Sequence, residues 1–304
     1  MIGPPTVHTP DASAPADPAL TDPLAPIAED VLCRRCGYNL RGLRLSGRCP
    51  ECNSAVELSL QGDAMRFADP LWLKRLSGGA SVLMVQKILF LVWTIARVFL
   101  IIRTRARFNI DIMTCLIQSA SLIGWWLMST PDPAGLGEKD YGRARRMTRL
   151  ASVVLLFVTI VWQVRSSVAL PPDIDPMVVI GLLLIEIISI VGERARYQFI
   201  AGLSLRVPSN PLARRARTLA IIAPALAAFS WLLSVASMIA QLRTGRRVFG
   251  PPIFYGCSLL LLLGSELVLA VVVFALLREL RDKIESQARV ARRIWESAQS
   301  GSDE

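Results

Sequence analysis

Long apolar runs alternate with short, arginine-rich polar segments along most of this chain. The runs fall near residues 78–102, 110–129, 150–170, 176–192, 218–240 and 253–277. Most reach the roughly 20 residues that a helix needs to cross a bilayer core. The pattern predicts an all-α polytopic membrane domain of about six transmembrane helices over 78–277. The third and fourth runs are interrupted, by Arg165 and by Glu186, and such groups are tolerated where they face a bundle interior or reach the surface. Ahead of the first run, Asp69 and Pro70 read as an N-cap and a first helical residue. Trp72 and Leu73 beside Lys74 and Arg75 then allow two readings of the 57–77 linker: a helix lying at the membrane surface, or the beginning of the first span. Past residue 277, Leu277, Leu280, Ile284, Gln287, Ala291 and Ile294 follow 3-4 spacing, and Glu279 with Lys283 and Glu285 with Arg289 are favourable i,i+4 pairs. The 278–304 tail is therefore expected to continue the last span as a cytoplasmic helix, packing on the segment around 197–205 or on a second subunit.

Composition agrees with the pattern. The chain is 53% hydrophobic with a mean hydropathy of +0.45, high for a soluble protein. Its net charge of +10 need not signal nucleic acid, because cytoplasmic loops of membrane proteins collect Lys and Arg. With the N-terminus inside, six spans place 25 Lys and Arg on the cytoplasmic side and 7 on the other, which supports both termini being cytoplasmic. Residues 1–30 hold seven prolines, five acidic residues and no Lys or Arg. That composition predicts a disordered leader and lacks the basic start and apolar run of a signal peptide. Residues 144–151 and 213–220 match at five of eight positions. Such an echo fits a repeated helix pair or simply two Arg-rich loops entering spans.

The clearest chemistry is Cys33-x-x-Cys36, twelve residues, then Cys49-x-x-Cys52. Four thiolates at this spacing suit one tetrahedral Zn²⁺, predicting a structural zinc ribbon of β-hairpin type over 31–56. Gly37 and Asn53 follow the two pairs and are residue types that tolerate the positive φ of such turns. Pro50 stiffens the second turn. The insert 37–48 has the length of a short hairpin, with Gly42 and Gly47 as turn residues. Thiolates persist best in a reducing compartment, again the cytoplasm. Arg34, Arg35, Arg41, Arg44 and Arg48 give the ribbon a basic face. With only Tyr38 to stack on bases, nucleic acid is disfavoured against lipid or protein contact, and a plain solvated face is the simplest reading.

Other candidates are thinner. Lys87, Glu186 and Glu266 lie inside predicted spans at depths that differ by a few ångströms at ~1.5 Å per residue. They form a candidate intramembrane polar site, read either as an ion or proton pathway, with Gln118 and Gln163 nearby in other spans, or as a buried ion pair that fixes helix packing. Cys115 and Cys257 read as small apolar fillers. The one histidine, His8, lies in the leader, so no His-based triad or zinc protease is available and no enzyme is expected.

The string Cys33-Arg-Arg-Cys36-Gly37-Tyr38-Asn39-Leu40-Arg41-Gly42-Leu43, closing with Cys49-Pro50-Glu51-Cys52, resembles the N-terminal zinc ribbon of a set of bacterial multi-pass membrane proteins. The turn Trp125-Trp126…Thr130-Pro131-Asp132-Pro133 and the stretch Arg206-Val207-Pro208 are similar to members of that set. Asn53 departs from the usual Gly. The resemblance implies zinc, a membrane and a bacterial origin, and implies no reaction. The expectation is thus a bacterial inner-membrane protein in the lipid bilayer whose zinc ribbon docks or regulates a protein partner at the cytoplasmic face, homo-oligomers included. The alternative is a small-solute or ion transporter with a regulatory ribbon.

Overall fold

The computed structural model describes residues 26–104, 112–167, 174–207, 209–244 and 252–300. Most of the acidic leader, Pro208 and the side chains of Arg165, Cys257 and Glu266 lie outside the described residues. After a short helix α1 (Glu57–Leu60) and a 3₁₀ turn (Met65–Phe67) come six long helices: α2 (Pro70–Thr104), α3 (Ile112–Met128), α4 (Glu138–Ser167), α5 (Ile174–Arg206), α6 (Asn210–Thr244) and α7 (Pro252–Ser300). The stretch 69–76 begins α2 without a break: Asp69 Oδ2 accepts from the Trp72 amide at 3.3 Å, the N-cap bond expected of it.

Each helix packs on the next, and α7 returns to α2, so the six close into a ring. Neighbours run antiparallel. Along α2 and α3, Gly79 meets Met128, Leu83 meets Gly124 and Trp93 Nε1 donates to Thr114 Oγ1 at 3.3 Å. Along α4 and α5, Tyr141 faces Gly202 while Ala151 faces Gly192. Along α6 and α7, Ser209 meets Lys283 and Arg215 meets Glu279. Small residues mark the closest crossings, as is common where helices meet in lipid. A Cβ on Gly192 would collide with the Ala151 methyl. Gly192→Ala is therefore expected to cost about 1–3 kcal/mol, and Ala151→Gly in the same chain should recover most of it. Melting temperatures of the wild type, the single variant and the double variant in detergent test this, and equal loss in the double variant would refute the contact.

Burial divides the ring lengthwise. The large buried side chains (Trp72, Leu73, Leu76, Met128, Phe199, Ile200, Leu203, Leu212, Leu277, Leu280, Ile284) cluster in one core with Leu58 and Met65 of the linker. Most belong to the ends of the helices next to the 57–77, 130–149, 193–217 and 278–300 segments. Farther along, the helices turn large apolar residues outward: Ile88, Val92 and Ile95 on α2, Phe157 and Ile160 on α4, Leu184 and Ile187 on α5, Phe229 and Leu232 on α6. Exposed apolar surface on this scale is what a lipid environment covers. Three segments, Pro70–Arg97, Asp140–Val164 and Asn210–Leu233, are long and apolar enough to cross a membrane among the described residues, and α3 is a shorter apolar helix.

The tail pattern is realised with one shift of register. Leu277, Leu280, Ile284 and Ala291 are buried, and Trp295 rather than Ile294 completes the stripe. The tail packs on α2, on the 3₁₀ turn and on α6. Glu279 lies 4.0 Å from Lys283, whereas Glu285 takes Arg281 at 2.7 Å and the Ser77 hydroxyl at 2.9 Å in place of an ion pair with Arg289.

Candidate functional site

The two Cys-x-x-Cys segments fold into matching knuckles. In the first, the Cys33 amide donates to Tyr38 O at 2.8 Å and the Gly37 amide to Cys33 O at 2.9 Å. In the second, the Cys49 amide donates to Ser54 O and the Asn53 amide to Cys49 O, both at 2.9 Å. Gly37 (φ 77°) and Asn53 (φ 58°) occupy the left-handed region at equivalent positions, as their residue types predict. The insert between the knuckles is not a hairpin. Single antiparallel bridges, Leu32 with Asn39, Arg48 with Ala55 and Pro26 with Arg44, replace ladders, and no strand occurs among the described residues. Turns at Gly42 (φ 81°) and at Gly47, whose amide donates to Arg44 O at 2.9 Å, use up the residues that a ladder would need.

The knuckles bring the Sγ atoms of Cys33, Cys36, Cys49 and Cys52 within 4.8 Å of one another. Cys33 lies 3.6 Å from Cys52 and Cys36 lies 3.6 Å from Cys49. Tetrahedral thiolates at ~2.3 Å from a zinc ion would sit about 3.8 Å apart, so the cluster fits a metal of that size. Electrostatics agree. Burial pushes the Cys33 thiol up, but hydrogen bonding with Ser54 and with the backbone at Arg35 and Cys36 outweighs it and lowers Cys33 to about 7. Partial burial of its sulfur, reinforced by the thiols of Cys49, Cys52 and Cys33, pushes Cys36 up to about 12. Four thiolates this close repel one another, and a cation among them removes the conflict. Among the described residues, the buried hydrophobic side chains around the cluster are Cys33, Leu40, Cys49 and Val56, too small a core to hold a module of this size by itself.

The module sits against the helices. A Cβ on Gly37 would come within 2.9 Å of Pro133 O, so the first knuckle lies on the α3–α4 turn. Arg34, expected on a solvated face, is buried instead. Its guanidinium donates to Gly62 O at 2.8 Å and also to Gln61 O, fastening the module to the linker. Arg41 and Arg44 stay exposed.

Beneath this junction lies an assembly that residue-by-residue reading did not find. Arg206, at the end of α5, donates to Asp132 Oδ2 at 2.7 Å, to Asp63 at 2.8 Å and to the Tyr141 hydroxyl at 3.1 Å. Its guanidinium carbon lies 5.2 Å from the centre of the Trp72 ring. Burial would lower its pKa, but Tyr141, Asp132 and Asp63 raise it above the ordinary arginine value. One side chain thus ties the linker, the α3–α4 turn, α4 and α2 together. The same turn is held elsewhere. Trp72 Nε1 donates to Thr130 O at 3.1 Å, and Arg149 caps the end of α3 through Ser129 O at 2.8 Å. Arg149 also stacks on Trp126 at 4.7 Å, and Arg196 on Trp125 at 5.4 Å. The tryptophans and the proline-flanked aspartate carried a sequence signal. Their partners, far away in the chain, did not.

Of the intramembrane candidates, Lys87 and Glu186 are both partly buried but stand on helices that are not ring neighbours. Glu186 has no hydrogen-bond or ion-pair partner among the described residues, so the structure does not join it to Lys87. Cys115 is half-buried on α3, away from the cluster. Comparisons with protein-family models, with curated proteins and with solved structures find no match. What the chain shows by itself is a helical protein with membrane-compatible spans and four cysteines placed to bind a metal ion.

Proposed function

We propose that this is a non-catalytic bacterial inner-membrane protein. Six helices cross the bilayer with both termini cytoplasmic, and a structural zinc module presents a docking face to a protein partner there. The observation that carries this reading is the Arg206 assembly with the Arg34 clamp, which join the cysteine module to the cytoplasmic ends of the helices. A module so fastened can pass an event at its surface to the helices, or hold a partner at a fixed height above the membrane. The antiparallel ring supports six crossings, since each helix that crosses one way hands the chain to a neighbour that returns. The segments meeting at the buried end are those that hold most of the Lys and Arg, as the positive-inside rule asks of a cytoplasmic face. Four thiolates would complete the zinc coordination sphere and leave no position for a reactive water.

The test is crosslinking and affinity purification from native membranes. It compares the wild type with Cys33→Ser/Cys49→Ser and with Tyr38→Ala/Arg41→Glu/Arg44→Glu, which alters exposed residues and keeps the metal ligands. Partners lost in both variants are the expected result. An unchanged partner list would overturn the reading. A second reading, small-solute or ion flux with a regulatory module, is favoured by one observation, the Glu186 carboxylate on α5, which has no hydrogen-bond or ion-pair partner among the described residues. It requires that Glu186→Gln abolish flux in proteoliposomes while the protein still inserts and folds.

A further inference from the structure

A cavity of about 1490 Å³ opens beside the Arg206 assembly, between α4 and α5 on one side and the linker, the start of α6 and the α7 tail on the other. Arginines from four elements line it: Arg66 of the 3₁₀ turn, Arg143 of α4, Arg194 and Arg206 of α5, and Arg217 of α6. Against these five stand two lining carboxylates, Asp63 and Asp140. Asp63 is already committed to Arg206. Arg66, Arg143, Arg194 and Arg217 are exposed and have no carboxylate partner among the described residues. With Asp140 as the one lining carboxylate outside the Arg206 assembly, the cavity carries an excess of positive charge, and an anion with several acceptor oxygens is attracted to it. Guanidinium groups suit phosphate best, because their fork of donors matches two oxygens at once.

The rest of the lining indicates what carries the phosphate. Met147 of α4 and Val191 of α5 form an apolar wall. That wall continues into outward-facing Leu150 and Val153 on α4 and Leu184 and Ile187 on α5, the surfaces that lipid would cover. A basic hollow at the cytoplasmic end of membrane helices, opening onto an apolar flank, is suited to an anionic lipid headgroup. The volume exceeds the few hundred to about 1,000 Å³ of ordinary small-molecule pockets.

We propose that this cavity binds a phosphate-bearing anion, with the arginines on the phosphate and, where the phosphate belongs to a lipid headgroup, the apolar wall against its acyl chain. The proposal is independent of which protein docks on the cysteine module.

The experiment uses the full chain, purified in neutral detergent. Cardiolipin and phosphatidylglycerol are titrated in one arm and pyrophosphate in the other, with phosphatidylcholine as the neutral control. Bound species are read by native mass spectrometry and by thermal shift. Arg143→Ala/Arg194→Ala and Arg66→Ala/Arg217→Ala remove exposed side chains that have no carboxylate partner among the described residues; Arg66 gives up only its stacking on the Phe67 ring, 4.8 Å away. Arg292→Ala/Arg293→Ala removes two exposed arginines of the α7 tail that do not line the cavity. The expected result is a loss of affinity of about 10- to 30-fold in each cavity variant, no loss in the tail variant, and unchanged elution and melting of all three without ligand. Lipid binding that pyrophosphate does not displace identifies a headgroup source. Binding and displacement by pyrophosphate identify a soluble phosphate. Equal affinities in the cavity and tail variants, or no preference of the wild type for either anion over phosphatidylcholine, overturn the proposal.

Discussion

Replacing Asp132 by Ala should lower the unfolding free energy of the purified protein by about 3–5 kcal/mol. The Arg206 and Asp132 side chains are only 4% and 3% exposed. Removing the carboxylate leaves a guanidinium that burial disfavours, with Asp63, half exposed at 49%, as its remaining charged partner. Arg206→Lys should also fail to restore the wild type, since one ammonium cannot reach Asp132, Asp63 and Tyr141 with the geometry of a planar fork. Arg206→Met combined with Asp132→Asn removes both charges and should recover a substantial part of the loss, the usual behaviour of a buried pair against an apolar replacement. The internal control is Arg215→Ala. Its ion pair with Glu279 joins side chains 67% and 30% exposed and should contribute no more than about 1 kcal/mol. Denaturation followed by tryptophan fluorescence reads all four. If Asp132→Ala and Arg215→Ala behave alike, Arg206 is not the joint described above.

Metal removal is the second large effect. Structural zinc binds folding peptides with apparent free energies of about 10–16 kcal/mol, far more than a core of Cys33, Leu40, Cys49 and Val56 can supply. The protein as purified should hold one zinc per chain, with the four cluster thiols unreactive. A strong chelator should then expose those four thiols together and open residues 26–62 to protease. The long helices, held by the core around Leu73, Phe199 and Leu277, should remain. Because Arg34 reaches from inside the first knuckle to Gln61 O and Gly62 O, cleavage should appear in the linker as well as in the module. Rapid thiol titration of the untreated, metal-analysed protein would sink this account.

The parts of this architecture that were legible in the sequence are those encoded locally. An apolar run needs no partner to declare itself, and Cys-x-x-Cys spacing dictates how close two sulfurs lie. Gly37 and Asn53 announced their positive φ through residue type alone. The helices, however, extend well past the apolar runs. Glu138 to Arg149 is polar and charged, yet it starts α4, with acidic residues at its first turn where the helix dipole favours them. Such extensions are stabilised by faces that meet other helices, which no local window contains. Arg34 was misplaced because its acceptors are main-chain carbonyls, and these have no residue signature. Asp132 and Arg206, 74 residues apart, each stood in a recognisable string, but nothing linear joins the two. The insert has the length of a hairpin, but its turns at Gly42 and Gly47 consume the residues that a ladder would need.

The closure of the ring by α7 has a consequence for the order of synthesis. The side chains that share one core with Met65, Leu73 and Leu76 include Leu280, Ile284 and Trp295 of α7, which packs on α2 and on the 3₁₀ turn and leaves the ribosome last among the described helices. Until then, the start of α2 and the linker beneath the cysteine module lack the α7 side chains that complete their core. Quality control of this protein would therefore be concentrated at the end of translation. A chain stopped just after α6 would carry its cysteines and still expose the apolar surface that α7 covers, the kind of surface quality control reads.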